Sequence, residues 1–230
     1  MKKYFAPILS VVIALINAAA TAVYIKNGIE ADVVPTHFQV DMTPDQFGSK
    51  WLLLIDAIFP ILIAVAFLVY RIVTRNKENH QKNMKYENVF IVIIVLFMAG
   101  LMWFLNLTAS GAIAPKRTWL PYLGIVLGVM FTLFGNISGK IKQQRNFGIK
   151  TAATLKNKTV WLKTHRLSGI FCVITGIFMV LCSIAAIILK KYEMPLFVAG
   201  IAAMMILSFI VPTIYAEILY KKLGSDEEEE

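Results

Sequence analysis

The chain has 230 residues, 58% of them apolar and 16% charged, with a formal net charge of +9 at pH 7. Charge that sparse, against about 25% in soluble globular chains, excludes an ordinary soluble domain. The cations follow a topological pattern set out below, so the positive balance argues poorly for nucleic-acid binding.

Six segments are almost free of charge: 4–24, 51–73, 89–108, 119–137, 167–189 and 195–219. Each approaches the roughly 20 apolar residues that carry a helix across a hydrocarbon core about 30 Å thick. Unpaired backbone groups are costly in lipid, so such segments must be helical. The expected fold class is all-α: a polytopic membrane protein of six transmembrane helices, forming a single membrane domain over 1–230. Its N-terminal part, 1–75, carries the loop 25–50, and the part 119–219 carries the loop 138–166. The acidic run at 223–230 reads as a solvated tail.

The first segment, MKKYFAPILSVVIALINAAATA, has the Lys pair, apolar stretch and Ala-rich end of a secretory signal. Its apolar stretch outruns the 7–15 residues typical of such signals, which predicts an uncleaved first helix. Orientation follows from the cations. One side holds Lys2, Lys3, the five from Arg71 to Lys85, the eight from Lys140 to Arg166, and Lys221 with Lys222. The other holds Lys26, Lys50, Lys116, Arg117, Lys190 and Lys191, so the 23 cations divide 17 to 6. Both termini are therefore expected in the cytoplasm.

Along the second span, Asp56 lies about 8 Å below the outer interface, and Pro60 one turn further on frees a backbone carbonyl. Asn17 and Asn106 fall in the outer halves of their spans. Polar groups at such depth face the bundle interior or a wet cavity. Two readings stay open: a polar clamp between helices, or a ligand- or proton-binding pocket open to the outside. In the fourth span Gly124, Gly128, Gly135 and Gly139 share a face about 60° wide, which suits close helix packing within the bundle. In the fifth, Cys172 and Cys182 stand about 15 Å apart, too far to bridge, and read as small packing residues.

His37 is expected outside, whereas His80 and His165 are expected inside, so the three cannot share one metal ion. No HExxH, CxxC, GxSxG or P-loop pattern occurs. No metal, cofactor or enzymatic activity is expected.

The basic loop carries the richest pattern. Asn157 reads as the cap of a short helix starting near Lys158, which puts Trp161 and His165 on one face at i and i+4. Its cations would attract anionic lipid at the membrane surface. Trp161 and His165 are not needed for charge, which favours a shaped elbow that docks a cytoplasmic partner over a nucleic-acid site.

The stretch GNISGKIKQQRNFGIKTAATLKNKTVWLKTHRLSG, 135–169, resembles the signature of the SdpI family of bacterial membrane proteins. The matching positions are Gly135, Asn136, Gly148, Ile149, Thr151, Thr154, Leu155, Trp161, Thr164, His165, Arg166 and Gly169. VPTHFQVDMTPDQFGSKW, 34–51, resembles the outer motif of the domain of unknown function that often precedes it, through Pro35, His37, Phe38, Pro44, Asp45, Gly48 and Lys50. Departures are Lys150 for Arg, Ala152-Ala153 for Pro-Trp, and Met42 for Gly. Lys lacks the planar two-point donor edge of Arg.

The resemblance implies a non-enzymatic immunity protein of the bacterial cytoplasmic membrane. It would protect against a secreted antimicrobial peptide and signal by holding a transcriptional repressor at the membrane. On that reading, His37, Asp45, Lys50, Asp56, Asn17 and Asn106 form an outer ligand site. Gly148, Lys150, Thr151, Thr154, Trp161, Thr164, His165 and Arg166 form the inner docking site. The expected partners are the extracellular peptide toxin, the repressor and anionic lipid, with no direct nucleic acid. The alternative is a small-solute or proton-coupled transporter using Asp56.

Overall fold

The computed structural model describes residues 3–39, 43–74, 76, 78–113, 119–145 and 147–228, excluding the side chains of 78–80 and 224–228. Lys2, Met42, Arg75, Lys77, Lys116, Arg117, the His80 side chain and the acidic side chains of the tail fall outside the described residues. The elements are α1 (Phe5–Gly28), β1 (Val33–Phe38), β2 (Pro44–Ser49), α2 (Leu53–Thr74), α3 (Glu78–Ala109), α4 (Leu120–Ser138), α5 (Ala152–Lys156), α6 (Lys158–Ile188), α7 (Glu193–Met205) and α8 (Val211–Glu228). Among the described residues, six helical stretches are long and apolar enough to cross a membrane, the sixth joining α7 and α8 through Lys190–Leu223. Large apolar side chains point outward along them, with Ile16 64%, Leu62 58%, Leu181 59% and Ile214 54% exposed. Such a surface suits lipid rather than water.

The chain divides into two compact units. The first comprises Met1–Lys77 and Met84–Arg117, and the second Glu78–Asn83 and Thr118–Glu230. In the first, the expected loop 25–50 is not irregular. It holds an antiparallel β1–β2 hairpin, whose register is interrupted around His37. Val34, 2% exposed, plugs the hairpin onto the ends of three helices by packing with Ile25, Ile29, Leu53 and Ala109. A lone two-stranded hairpin is marginal in water, so this apolar seat is what holds it. A second cluster, Ala14, Ala64, Ile91 and Val95, ties α1, α2 and α3 together further along.

In the second unit α4 and α6 run antiparallel with their backbones almost touching. A Cβ added to Gly128 would lie 2.6 Å from the Gly176 carbonyl, and one on Gly135 2.6 Å from that of Gly169. The relation is reciprocal: a Cβ on Gly176 or Gly169 would lie 2.5 or 2.8 Å from the opposing glycine carbonyl. The glycine face therefore packs inside the bundle.

The sixth span carries a π-helical turn, Ile206–Ile210, in which the Val211 N–H bonds back to the Ile206 carbonyl. Pro212 has no N–H for the Ser208 carbonyl one turn back. The Ser168 hydroxyl on α6 donates to that carbonyl at 2.8 Å, and the Ser208 and Thr175 hydroxyls pair at 3.0 Å. Cys172 and Cys182 are free and buried nearby on α6.

Large side chains at the reciprocal glycines should force α4 and α6 apart. Gly128→Leu or Gly135→Leu is expected to lower the thermal midpoint in detergent by several degrees, with most of the protein lost from the membrane. Gly100→Ala on α3, where an added Cβ meets nothing within 4 Å, should be neutral or stabilising by up to about 1 kcal/mol. Equal behaviour of the two classes would contradict this packing.

Candidate functional site

The loop between α4 and α6 is built by side chains bonding backbone. Thr151 caps α5 and forms a reciprocal box with Thr154: the Thr151 N–H donates to Thr154 Oγ1 at 2.8 Å, and the Thr154 N–H to Thr151 Oγ1 at 3.2 Å. Thr154 Oγ1 also donates to the Ile149 carbonyl at 2.9 Å, and Gln143 Nε2 donates to the Thr154 carbonyl at 2.7 Å. Asn157 then caps α6, its Oδ1 accepting from the Thr159 and Val160 N–H groups at 2.8 and 3.1 Å. Two caps in seven residues turn the chain sharply.

Trp161 and His165 fill the space this turn encloses. Trp161 Nε1 donates to the Ile141 carbonyl at 2.8 Å, and its ring stacks on His165 with centroids 4.0 Å apart. The Ile149 N–H donates to His165 Nε2 at 3.0 Å, so that nitrogen carries no proton. Nδ1 must then hold the proton, which it donates to the Trp161 carbonyl at 2.9 Å. The ring is thus neutral and fixed at both nitrogens. Gly148 completes the lock on two grounds. Its φ of +113° lies where L side chains are strained, and a Cβ there would strike His165 Nε2 and reach within 3.0 Å of the Trp161 ring.

Trp161 and His165, expected to present a docking face, lie in the interior of the elbow. Trp161 is 0%, Thr154 0%, Thr164 0% and His165 1% exposed, so these side chains shape the elbow from within. Of the inner-loop residues singled out, Gly148, Lys150 and Arg166 lie at the surface and Thr151 is half-buried. A residue the sequence reading missed pins the loop from outside. Asn83, fully buried in the first turns of α3, brackets Lys142 by donating to its carbonyl at 2.8 Å and accepting from its N–H at 2.7 Å.

The other candidate residues belong to the first unit and do not form one cluster. His37 Nδ1 meets Asp45 Oδ1 at 2.6 Å on the exposed hairpin. Lys50 is not free to meet a ligand. Its ammonium donates to the Ile29 carbonyl at 2.9 Å and lies 3.4 Å from Asp32, which closes the base of the hairpin. Asp56 is half-buried one turn into α2, whereas Asn17 and Asn106 are buried.

Charge counting also missed a buried ion pair. Arg71 and Glu87, each 1% exposed, approach to 3.4 Å. Arg71 Nη2 donates to Asn88 Oδ1 at 2.7 Å, its guanidinium lies over Phe67, and the Tyr70 hydroxyl donates to Glu87 at 3.2 Å. Counted among loop cations by sequence, Arg71 is an interior residue of α2. The only advance signal was an acid at 87 directly before an apolar run.

Two outcomes follow. Removing one member of the buried pair, by Arg71→Met or Glu87→Leu, should cost about 3–5 kcal/mol, and the double variant should recover most of it. Unfolding midpoints of the four proteins in detergent give the coupling directly. At the elbow, His165→Lys or Gly148→Val should sharply lower abundance, because each breaks the Ile149–His165 contact. Lys156→Arg and Lys158→Arg, at exposed positions, should match the parent on an immunoblot of membranes.

No curated protein and no solved structure matches the chain. The sequence model of the SdpI/YfhL protein family matches residues 140–216. That stretch runs from the pinned loop through the Trp161–His165 lock into α8. Over residues 140–216 the chain is thus similar to the SdpI/YfhL family, within a fold whose described residues form six helical stretches long and apolar enough to cross a membrane.

Proposed function

We propose that the chain is a non-enzymatic immunity and sensor protein of the bacterial cytoplasmic membrane, with an extracellular antimicrobial peptide as its ligand. The observation that carries this reading is the family match falling on the elbow, whose buried lock is far more elaborate than a lipid-contacting loop requires. The 17-to-6 division of cations favours the elbow inside and the hairpin outside. The hairpin then offers the exposed His37–Asp45 pair to the peptide. The exposed cations Lys142, Lys150, Lys156, Lys158, Lys163 and Arg166 offer a positive rim to anionic lipid or to a repressor held at the membrane. A second reading, proton-coupled transport, draws support from the half-buried Asp56 carboxylate, which has no hydrogen-bond or ion-pair partner among the described residues.

Expression in a sensitive bacterium challenged with a panel of secreted antimicrobial peptides tests the first reading. The parent should raise survival to at least one peptide, and His37→Ala or Asp45→Ala should reduce that protection at unchanged abundance. Uptake of solute or protons into proteoliposomes, abolished by Asp56→Asn, would instead establish transport. Orientation is checked separately. A cysteine at Gln39 should react with an impermeant thiol reagent in intact cells, whereas one at Arg145 should react only after lysis.

A further inference from the structure

The hairpin of the first unit has two edges, and one of them is blunted. The Lys50 N–H donates to the Asp32 carbonyl at 2.9 Å, and the register continues as Val33 opposite Ser49, Val34 opposite Gly48 and Pro35 opposite Phe47. Antiparallel pairs alternate between bonded and non-bonded, so Asp32–Lys50 and Val34–Gly48 are the bonded ones. The backbone groups of Val33, Pro35, Phe47 and Ser49 therefore point away from the partner strand. On β1 that edge is interrupted, because Pro35 has no N–H. On β2 it is intact. Phe47 and Ser49 each direct an N–H and a carbonyl outward, with no backbone partner beyond the hairpin among the described residues.

The same alternation sorts the side chains. Val34 points into its seat against Ile25, Ile29, Leu53 and Ala109, so Val33, Pro35 and Phe47 share the opposite face. Val33 and Phe47 are each 61% exposed. Every residue of β2 except the half-buried Gly48 lies at the surface. Charge around the hairpin opposes that of the whole chain. Residues 25–50 carry Glu30, Asp32, Asp41 and Asp45 against Lys26 and Lys50, in a protein of net charge +9. The Lys50 ammonium is already held by the Ile29 carbonyl and Asp32.

These three properties select one occupant. An open strand edge takes an extended segment, an apolar face takes apolar side chains, and surplus acid takes cations. The acids would repel anionic lipid headgroups, and equally the same acidic edge of a second copy. We propose that the outer edge of β2, at Phe47 and Ser49, captures a cationic, apolar peptide segment as a third strand. The proposal rests on the peptide-sensor reading and names the chemistry and mode of recognition within it.

The test uses the full chain in zwitterionic nanodiscs, with a fluorescent six-residue peptide of alternating lysine and valine as the probe. Parent discs should bind it saturably above empty discs. Methylating every backbone nitrogen of the peptide, or replacing its lysines by glutamates, should weaken binding about tenfold or more. Exchange of the Phe47 and Ser49 amide protons should slow about tenfold with peptide bound, while Gly48, paired inward, is protected throughout. Phe47→Pro, which removes an outward N–H, should lose binding, and Phe47→Leu should keep it within about threefold. Protection at Gly48 reports that the hairpin of each variant is intact, and the methylated peptide tests the edge on the parent alone. Undiminished binding of the methylated peptide would overturn the proposal in favour of side-chain adhesion. No binding above empty discs would overturn it outright. Slowed exchange at Phe47 without peptide, on adding phosphatidylglycerol or more copies per disc, would overturn it in favour of lipid or a second copy. Peptide capture without protection in the survival assay would sink the immunity reading alone. Protection that survives Phe47→Pro would sink the edge alone.

Discussion

The contact on which the second unit depends is backbone against backbone, where α4 and α6 cross at Gly128 with Gly176 and Gly135 with Gly169. Lipid supplies no hydrophobic drive to bring helices together, so their association relies on van der Waals contact, and glycine maximises it. Once the two helices are that close, the segment joining them must fold back within a short span. Every feature of the elbow answers this requirement. Thr151 caps the start of α5, Asn157 ends it and caps the start of α6, Gly148 takes a left-handed turn, and two aromatic rings fill the space beneath.

Each unit carries a proline within a membrane-spanning helix. In the second, the carbonyl that Pro212 leaves free is taken by the Ser168 hydroxyl, and the π turn brings the Ser208 hydroxyl to Thr175. In the first, Pro60 lies inside the continuous helix α2 and is itself buried. The proline of the sixth span is thus built into a closed hydrogen-bond network with α6.

Much of this was legible in the sequence. Sparse charge marked the six spans, the Gly spacing marked the packing face of α4, and Asn157 marked the start of α6. Hydropathy placed that span nine residues late, because Lys158–Arg166 is helical through its cap and its buried Trp161 rather than through apolarity. The hairpin escaped notice because its strands alternate poorly and only Val34 is deeply buried. Trp161 and His165 were identifiable as a pair on one helical face, but not as the inside of the turn, since their partners Ile141 and Ile149 are backbone groups. Asn83, Arg71 and Glu87 were hidden for a related reason. Their burial is set by contacts distant in sequence, and sequence position alone assigned them to solvent.

The hydrogen bond from the Ile149 N–H to His165 Nε2 has a kinetic consequence. Ile149 lies outside any helix or strand, where an amide proton would ordinarily trade with water within moments. Here it can leave only when the imidazole withdraws, and the imidazole is sandwiched by Trp161 and closed over by Gly148. Release therefore requires the whole elbow to open at once. A single backbone deuteron at position 149 becomes a clock for that opening, read against the faster protons around it.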